Sequence, residues 1–176
     1  MKKLLIVVDM QKDFVDGALG SREAVAIVDN VVATIAAFDG DIIATFDTHG
    51  EDYMHSQEGH FLPVPHCIRG TAGWQLDAKV QAALDQRVYT SVEKPTFGSV
   101  DLASLIRTMY DPTDLEIRLV GLCNDICVVS NALLLKASFP ETPISVDATC
   151  CAGVTPESHN AALTTMKMCQ IQVLGA

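Results

Sequence analysis

The sequence predicts an α/β fold: a single-domain doubly wound open parallel sheet with helices on both faces. Three observations carry this reading. Short apolar runs rich in β-branched residues recur at fairly even intervals, segments with helical spacing separate them, and 49% of the 176 residues are hydrophobic against 19% charged. Strands covered from both sides must be apolar throughout rather than alternating. Strand and helix taking turns about five times call for right-handed crossovers into a parallel sheet. A chain of this length closes one core, burying roughly 70% of the surface its unfolded form exposes, so residues 1–176 are read as one domain.

In chain order, the strand runs are Leu4 to Val8, Asp41 to Phe46, Val88 to Val92, Ile117 to Gly121, Ile144 to Val146 and Ile171 to Leu174. The helical segments are Glu23 to Phe38, Gln75 to Leu84, Val100 to Tyr110, Asp125 to Ala137 and Glu157 to Met168. In the first of these, Val25, Val28, Val32 and Ile35 fall on one stripe that would face a sheet. Pro156 suits the first turn of the last helix, where a missing N–H costs nothing. One connection breaks the rhythm: residues 47–73 carry little apolar periodicity, six Gly and Pro residues and four of the five histidines. An insertion that long in a compact domain is usually functional or disordered.

Charge and composition exclude several classes. With 12 Lys plus Arg against 22 Asp plus Glu, the net charge is −10, so nucleic acid and anionic membrane surfaces repel the chain as a whole. No apolar stretch reaches the ~18 residues of a spanning helix, and the opening Met1-Lys2-Lys3 leads to a short apolar run ended by Asp9 rather than by a small-residue cleavage site. The expected location is cytoplasmic. Six cysteines without regular spacing then read as free thiols rather than a disulfide framework.

Ligands in open parallel sheets bind beyond the carboxyl ends of the strands, which singles out the polar residues found there. The first strand ends in Asp9, the second in Asp47-Thr48-His49, the third near Glu93-Lys94, and the fourth in Gly121-Leu122-Cys123-Asn124-Asp125-Ile126-Cys127. Singly, each has a structural explanation: a turn cap, a solvated lysine, a small buried thiol. Together they deliver a carboxylate, an ammonium and a thiol to one rim. A cysteine at a helix start, beside a lysine, is expected to favour thiolate, and the same helix-start amides can hold the oxygen of a tetrahedral intermediate. With Asp9 moving the proton, the trio supports acyl transfer through a thioester. Asp47 and His49, two apart at a strand end, share a face if the strand continues, and His66 can close a metal site from the loop.

Three segments, Leu5 to Phe14, Lys94-Pro95-Thr96-Phe97 and Gly121 to Val128, together with His66 to Gly73, resemble the signatures of the isochorismatase-like cysteine hydrolases. The resemblance implies a catalytic triad of Asp9, Lys94 and Cys127. It also implies a non-proline cis peptide between Leu122 and Cys123, so that the amides of Cys123 and Cys127 form an oxyanion hole. Because the nucleophilic cysteine is present, it implies amide hydrolysis rather than cleavage of a vinyl ether. Similarity to the nicotinamidase branch extends this to one divalent metal ion, held by Asp47, His49 and His66 with Glu58 matching a ligand of some bacterial members. The ion is expected to be zinc, with iron or manganese as alternatives, and to fix the ring nitrogen of a small amide. Phe14 and Phe97 match ring-flanking positions, with Leu19 a further wall residue. Pro63 stands where that branch has an aromatic residue, a gap that Phe61 or Leu62 can fill. Relatives of this kind are commonly homo-oligomers.

The resulting expectation is a nicotinamide amidohydrolase. One alternative is another small-amide or ureido cysteine hydrolase. A second is a non-catalytic metal or thiol-binding protein built on Cys123, Cys127, Cys150 and Cys151, although Cys-x-x-x-Cys and a vicinal pair lack the usual zinc-ligand spacing.

Overall fold

In a computed structural model of the chain, which describes residues 1–175, six strands form one sheet. They are β1 (Lys2–Val8), β2 (Asp41–Asp47), β3 (Tyr89–Lys94), β4 (Leu115–Leu122), β5 (Ile144–Ala152) and β6 (Gln172–Leu174). Every neighbouring pair is parallel and the order is β3-β2-β1-β4-β5-β6. The chain therefore winds outward one way from β1 and then the other way from β4, and the crevice between those two strands is the switch point where ligands sit in such sheets.

Burial explains why the strands were readable. Leu4 to Val8 are fully buried on both faces, with Leu4, Ile6 and Val8 in one core cluster and Leu5 and Val7 in the other. The first cluster packs under α5 (Val100–Met109), α6 (Val129–Ser138) and α7 (Pro156–Met168); the second under α2 (Arg22–Ala37) and α4 (Ala78–Leu84). Side-chain caps start these helices: Ser21, Asp77 and Ser99 each accept from backbone amides of the first turn, and Thr155 and Ser158 form a reciprocal box ahead of α7. Such a cap contributes about 1 kcal/mol.

The predicted stripe on α2 is displaced. Ala24, Ile27, Val28, Val31 and Ile35 face the sheet, whereas Val25 is 51% exposed and Val32 half-buried. The true stripe holds an alanine, which apolar counting underweights. Val88 stands 97% exposed ahead of β3, and β5 continues through Cys151 to Ala152, well past Val146. Two short helices, α1 (Lys12–Val15) and α3 (Gln57–Phe61), are absent from the predicted elements because four or five residues are too few to show a helical period; the latter lies inside the 47–73 insertion.

Gly121 is the one glycine that the sheet demands. Its φ is +123°, and a Cβ there would run into the Val8 carbonyl oxygen of β1. It sets the close approach of β1 and β4 just below the crevice.

Candidate active site

Asp9 leaves β1 with φ +45°. Thr45 of β2 holds it: the Thr45 hydroxyl donates to Asp9 Oδ1 at 2.6 Å, and the Asp9 amide donates back to Thr45. Lys94, the last residue of β3, is wholly buried, and its Nζ lies 2.6 Å from Asp9 Oδ2, 3.3 Å from Cys127 Sγ and 3.3 Å from Asp47 Oδ1. It donates a further bond to the Thr96 carbonyl at 3.1 Å. The ammonium thus joins the acid, the thiol and the carboxylate of β2 in one place.

Cys127 sits in a π-type turn, Asn124–Val128, that leads into α6, following a cis peptide between Leu122 and Cys123. Asn131, one turn on, donates from Nδ2 to the carbonyls of Cys127 and Phe97 and so ties the thiol turn to the segment after Lys94. On the other side, Asp125 accepts from the Val154 amide at 3.0 Å and from the Ser158 hydroxyl, fixing the turn to the start of α7.

The electrostatics correct one expectation. Burial pushes the Cys127 thiol well above its ordinary range and the neighbouring Asp9 charge adds to this, outweighing the pull of Lys94. Deep in the turn rather than at an open helix end, the group is biased towards the thiol and calls on a base. Burial likewise raises Asp9, with Lys94 opposing. Burial would lower Lys94, but Asp9, Cys127 and Asp47 hold it well above the usual ammonium range. A proton shared between a raised carboxyl and a raised thiol, beside a fixed cation, is poised for transfer.

Four further side chains converge beside Lys94. Asp47, His49, Glu58 and His66 each offer one ligand atom, all within 4.8 Å of one another. Asp47 Oδ2 lies 3.0 Å from His49 Nε2 and 3.5 Å from His66 Nε2, and Glu58 Oε1 lies 3.5 Å from His66 Nε2. The extended backbone does continue past β2, since His49 bridges in parallel to Ile68, which puts Asp47 and His49 on one face. Glu58 comes from α3, placed by its Ser56 cap. His66 Nδ1 donates to the Val64 carbonyl, leaving Nε2 free to ligate. Burial would lower His66, yet Asp47 and Glu58 push it up to about 9; the imidazoles and Lys94 in turn hold Asp47 well below the usual carboxylate range despite its burial. Two imidazoles and two carboxylates closing on one point fit Zn²⁺, or Fe²⁺ and Mn²⁺ where more oxygen ligands join. Among the described residues no cysteine joins such a group, and Cys150 and Cys151 are buried in β5, facing opposite cores.

Three supporting residues carry no role in the sequence expectation: Gln11 and Asp13, within Leu5 to Phe14, and Tyr53, outside the family signatures. Gln11 donates to the Asp47 and Trp74 carbonyls and accepts from the Asp47 amide, so it orients Asp47. Asp13 accepts from the Cys67 amide and pins the loop next to His66. Tyr53 is buried against the rings of both His49 and His66. His55 and His60 stay outside the cluster. A buried glutamine after an Asp-x pair is a readable signal, because burial obliges its amide to find partners.

Over these groups lies a cavity of about 290 Å³. Phe14, Leu19, Phe97, Cys123 and Cys127 line it, as do Asp47, Glu58 and His66. Leu62 also lines it, whereas Phe61 is 84% exposed, so Leu62 stands in the gap left by Pro63. Asp9 and Lys94 lie beneath the floor, and Ala24, Ile126 and Val154 complete the wall.

Residues 3–176 match the family profile described as the isochorismatase domain. The chain belongs to the isochorismatase family. It is similar to the protein named nicotinamidase/pyrazinamidase of Mycobacterium tuberculosis, at 26% identity over 98% of each chain. Among solved structures, the isochorismatase-family chain superposes on the nicotinamidase/pyrazinamidase PncA of Bacillus subtilis with a TM-score of 0.86, at 28% identity over 99% of this chain and 100% of the other. The pyrazinamidase of Pyrococcus horikoshii, solved in complex with zinc, gives a TM-score of 0.78 at 27% identity over 99% of each chain. The family fold, an open all-parallel sheet flanked by helices, agrees with what alternating strands and helices predict.

Proposed function

We propose that this isochorismatase-family chain hydrolyses nicotinamide to nicotinate and ammonia through a thioester on Cys127, and accepts pyrazinamide in the same pocket. The observation that carries the reading is the buried Lys94 ammonium, within 3.3 Å of both Cys127 Sγ and Asp47 Oδ1 and 2.6 Å from Asp9 Oδ2, under a cavity lined by Cys127. The names of the similar proteins support the same substrate.

Asp9 takes the thiol proton as Cys127 sulfur bonds to the amide carbon, with Lys94 holding both groups in register. The oxygen of the tetrahedral intermediate accepts from the amides of Cys123 and Cys127. Asp9 then returns the proton to the departing nitrogen, and ammonia leaves the acyl-cysteine. Water enters, gives a proton to Asp9 and attacks the thioester; the carboxylic acid leaves and Asp9 reprotonates the sulfur. Asp47, His49, Glu58 and His66 would hold the metal, which when bound supplies a Lewis-acidic anchor for the ring nitrogen and so orients the ring. Phe14, Leu62 and Phe97 exclude water around the ring, with Leu19 further along the wall.

Ammonia release from a panel of nicotinamide, pyrazinamide and carbamoyl compounds tests the reading. Turnover confined to carbamoyl compounds would replace it with a ureido hydrolase.

Two more outcomes are expected. After reconstitution the protein holds about one Zn²⁺ per chain, and His66→Ala loses it while keeping its circular dichroism spectrum; elemental analysis checks both. Because Asp9 must be charged to accept the thiol proton and burial raises its pKa, activity falls as pH drops through that raised value. The acid limb of kcat/KM therefore has its midpoint above 3.8, the ordinary aspartate value. A limb at or below 3.8 means that Lys94 outweighs burial at Asp9.

A further inference from the structure

The cavity extends further along the sheet rim than a pyridine carboxamide needs. Its metal-donor end lies at β2, Cys127 follows β4, and the far end is closed by Gly153 and Val154 after β5 with Ser21 and Ala24 at the start of α2. Asp47 Oδ1 and Cys127 Sγ each lie 3.3 Å from Lys94 Nζ, so this first span is at most about 6.6 Å, and β5, next to β4 in the sheet, carries the lining about 5 Å further. A ring whose nitrogen faces Asp47 and His66 and whose carbonyl reaches Cys127 occupies the first span and leaves the second open.

The far end is dry in character. Leu19, Ala24, Ile126 and Val154 present only carbon, and the one hydroxyl, Ser21 Oγ, already accepts from the Ala24 amide at 3.0 Å. The Val154 amide is taken by Asp125, which also makes this wall a fixed one. An extension walled mainly by carbon side chains fits an alkyl group.

Resting on the amide hydrolysis proposed above, we infer that the substrate class includes pyridine carboxamides bearing a small alkyl group on the ring carbons away from the nitrogen, with that group seated between Leu19, Ala24, Ile126 and Val154. Each carbon buried there strengthens binding about fourfold.

The test compares kcat/KM for nicotinamide with that for its 4-ethyl and 5-ethyl derivatives. At least one ethyl compound is expected to equal or exceed nicotinamide, and the ratio of that compound to nicotinamide is expected to fall about tenfold in Ala24→Leu and in Val154→Phe, which fill the space from opposite sides. Val154 is 58% exposed, so its variant folds even if the helix variant does not. In Cys127→Ala, where nothing turns over, calorimetric titration with the ethyl nicotinate corresponding to the better amide should show tighter binding than with nicotinate. Lower kcat/KM for both ethyl compounds, or a ratio unmoved by Val154→Phe, overturns the inference while leaving nicotinamide hydrolysis standing. Absence of turnover with every pyridine carboxamide removes both.

Discussion

Cys127→Ala is expected to lower kcat for nicotinamide by about a thousandfold or more, because no other group can form the acyl intermediate. The fold should survive. Cys127 is small, and replacing a buried thiol with a methyl group leaves Lys94 paired with Asp9 and Asp47. Burst-phase kinetics and circular dichroism check the two halves. A variant with near-normal turnover would eliminate the thioester route, and a variant that unfolds would make the thiol a packing residue first.

Lys94→Met carries the largest expected cost in stability. Among the described residues the ammonium is the only cation in ion-pair contact with the wholly buried Asp9, and it shares Asp47 with His49 and His66. Methionine matches its length but leaves Asp9 a buried carboxylate with no cation, while Asp47 keeps its imidazole partners, and breaking a buried pair in this way costs about 3–5 kcal/mol. The loss appears as a lowered denaturation midpoint at pH 7. It should shrink in acid, because an Asp9 that takes up a proton is no longer a buried charge. Activity should fall with it, since Asp9 loses its orientation towards the thiol. Unchanged stability would mean that the carboxylates find other partners.

How far the sequence could be read follows burial. The central strands were legible because Leu4 to Val8 are apolar on both faces and Ile117, Leu119 and Val120 are buried, leaving few alternatives. The convergence of Asp9, Lys94 and Cys127 was legible because each directly ends or follows a parallel strand, and parallel strands deliver their ends to one rim. Glu58 was not legible from spacing. It reaches His66 through a five-residue helix too short to show a period, and only the resemblance to relatives singled it out. The Cys127 thiol departs from expectation for a related reason: the chain position suggests an open helix start, while in the π-type turn the residue is only 4% exposed and burial raises its pKa.

The stem leaving β1 holds two duties within three residues. Asp9 grips the thiol side, and Gln11 orients Asp47 on the metal side. Neither centre can drift on its own. Inserting one residue between Val8 and Gln11 would dislocate both at a stroke, whereas added length near Gly50 and Glu51, in the exposed start of the 47–73 segment, would be absorbed. Length variation among descendants of this chain should therefore gather in that segment and spare the β1 exit.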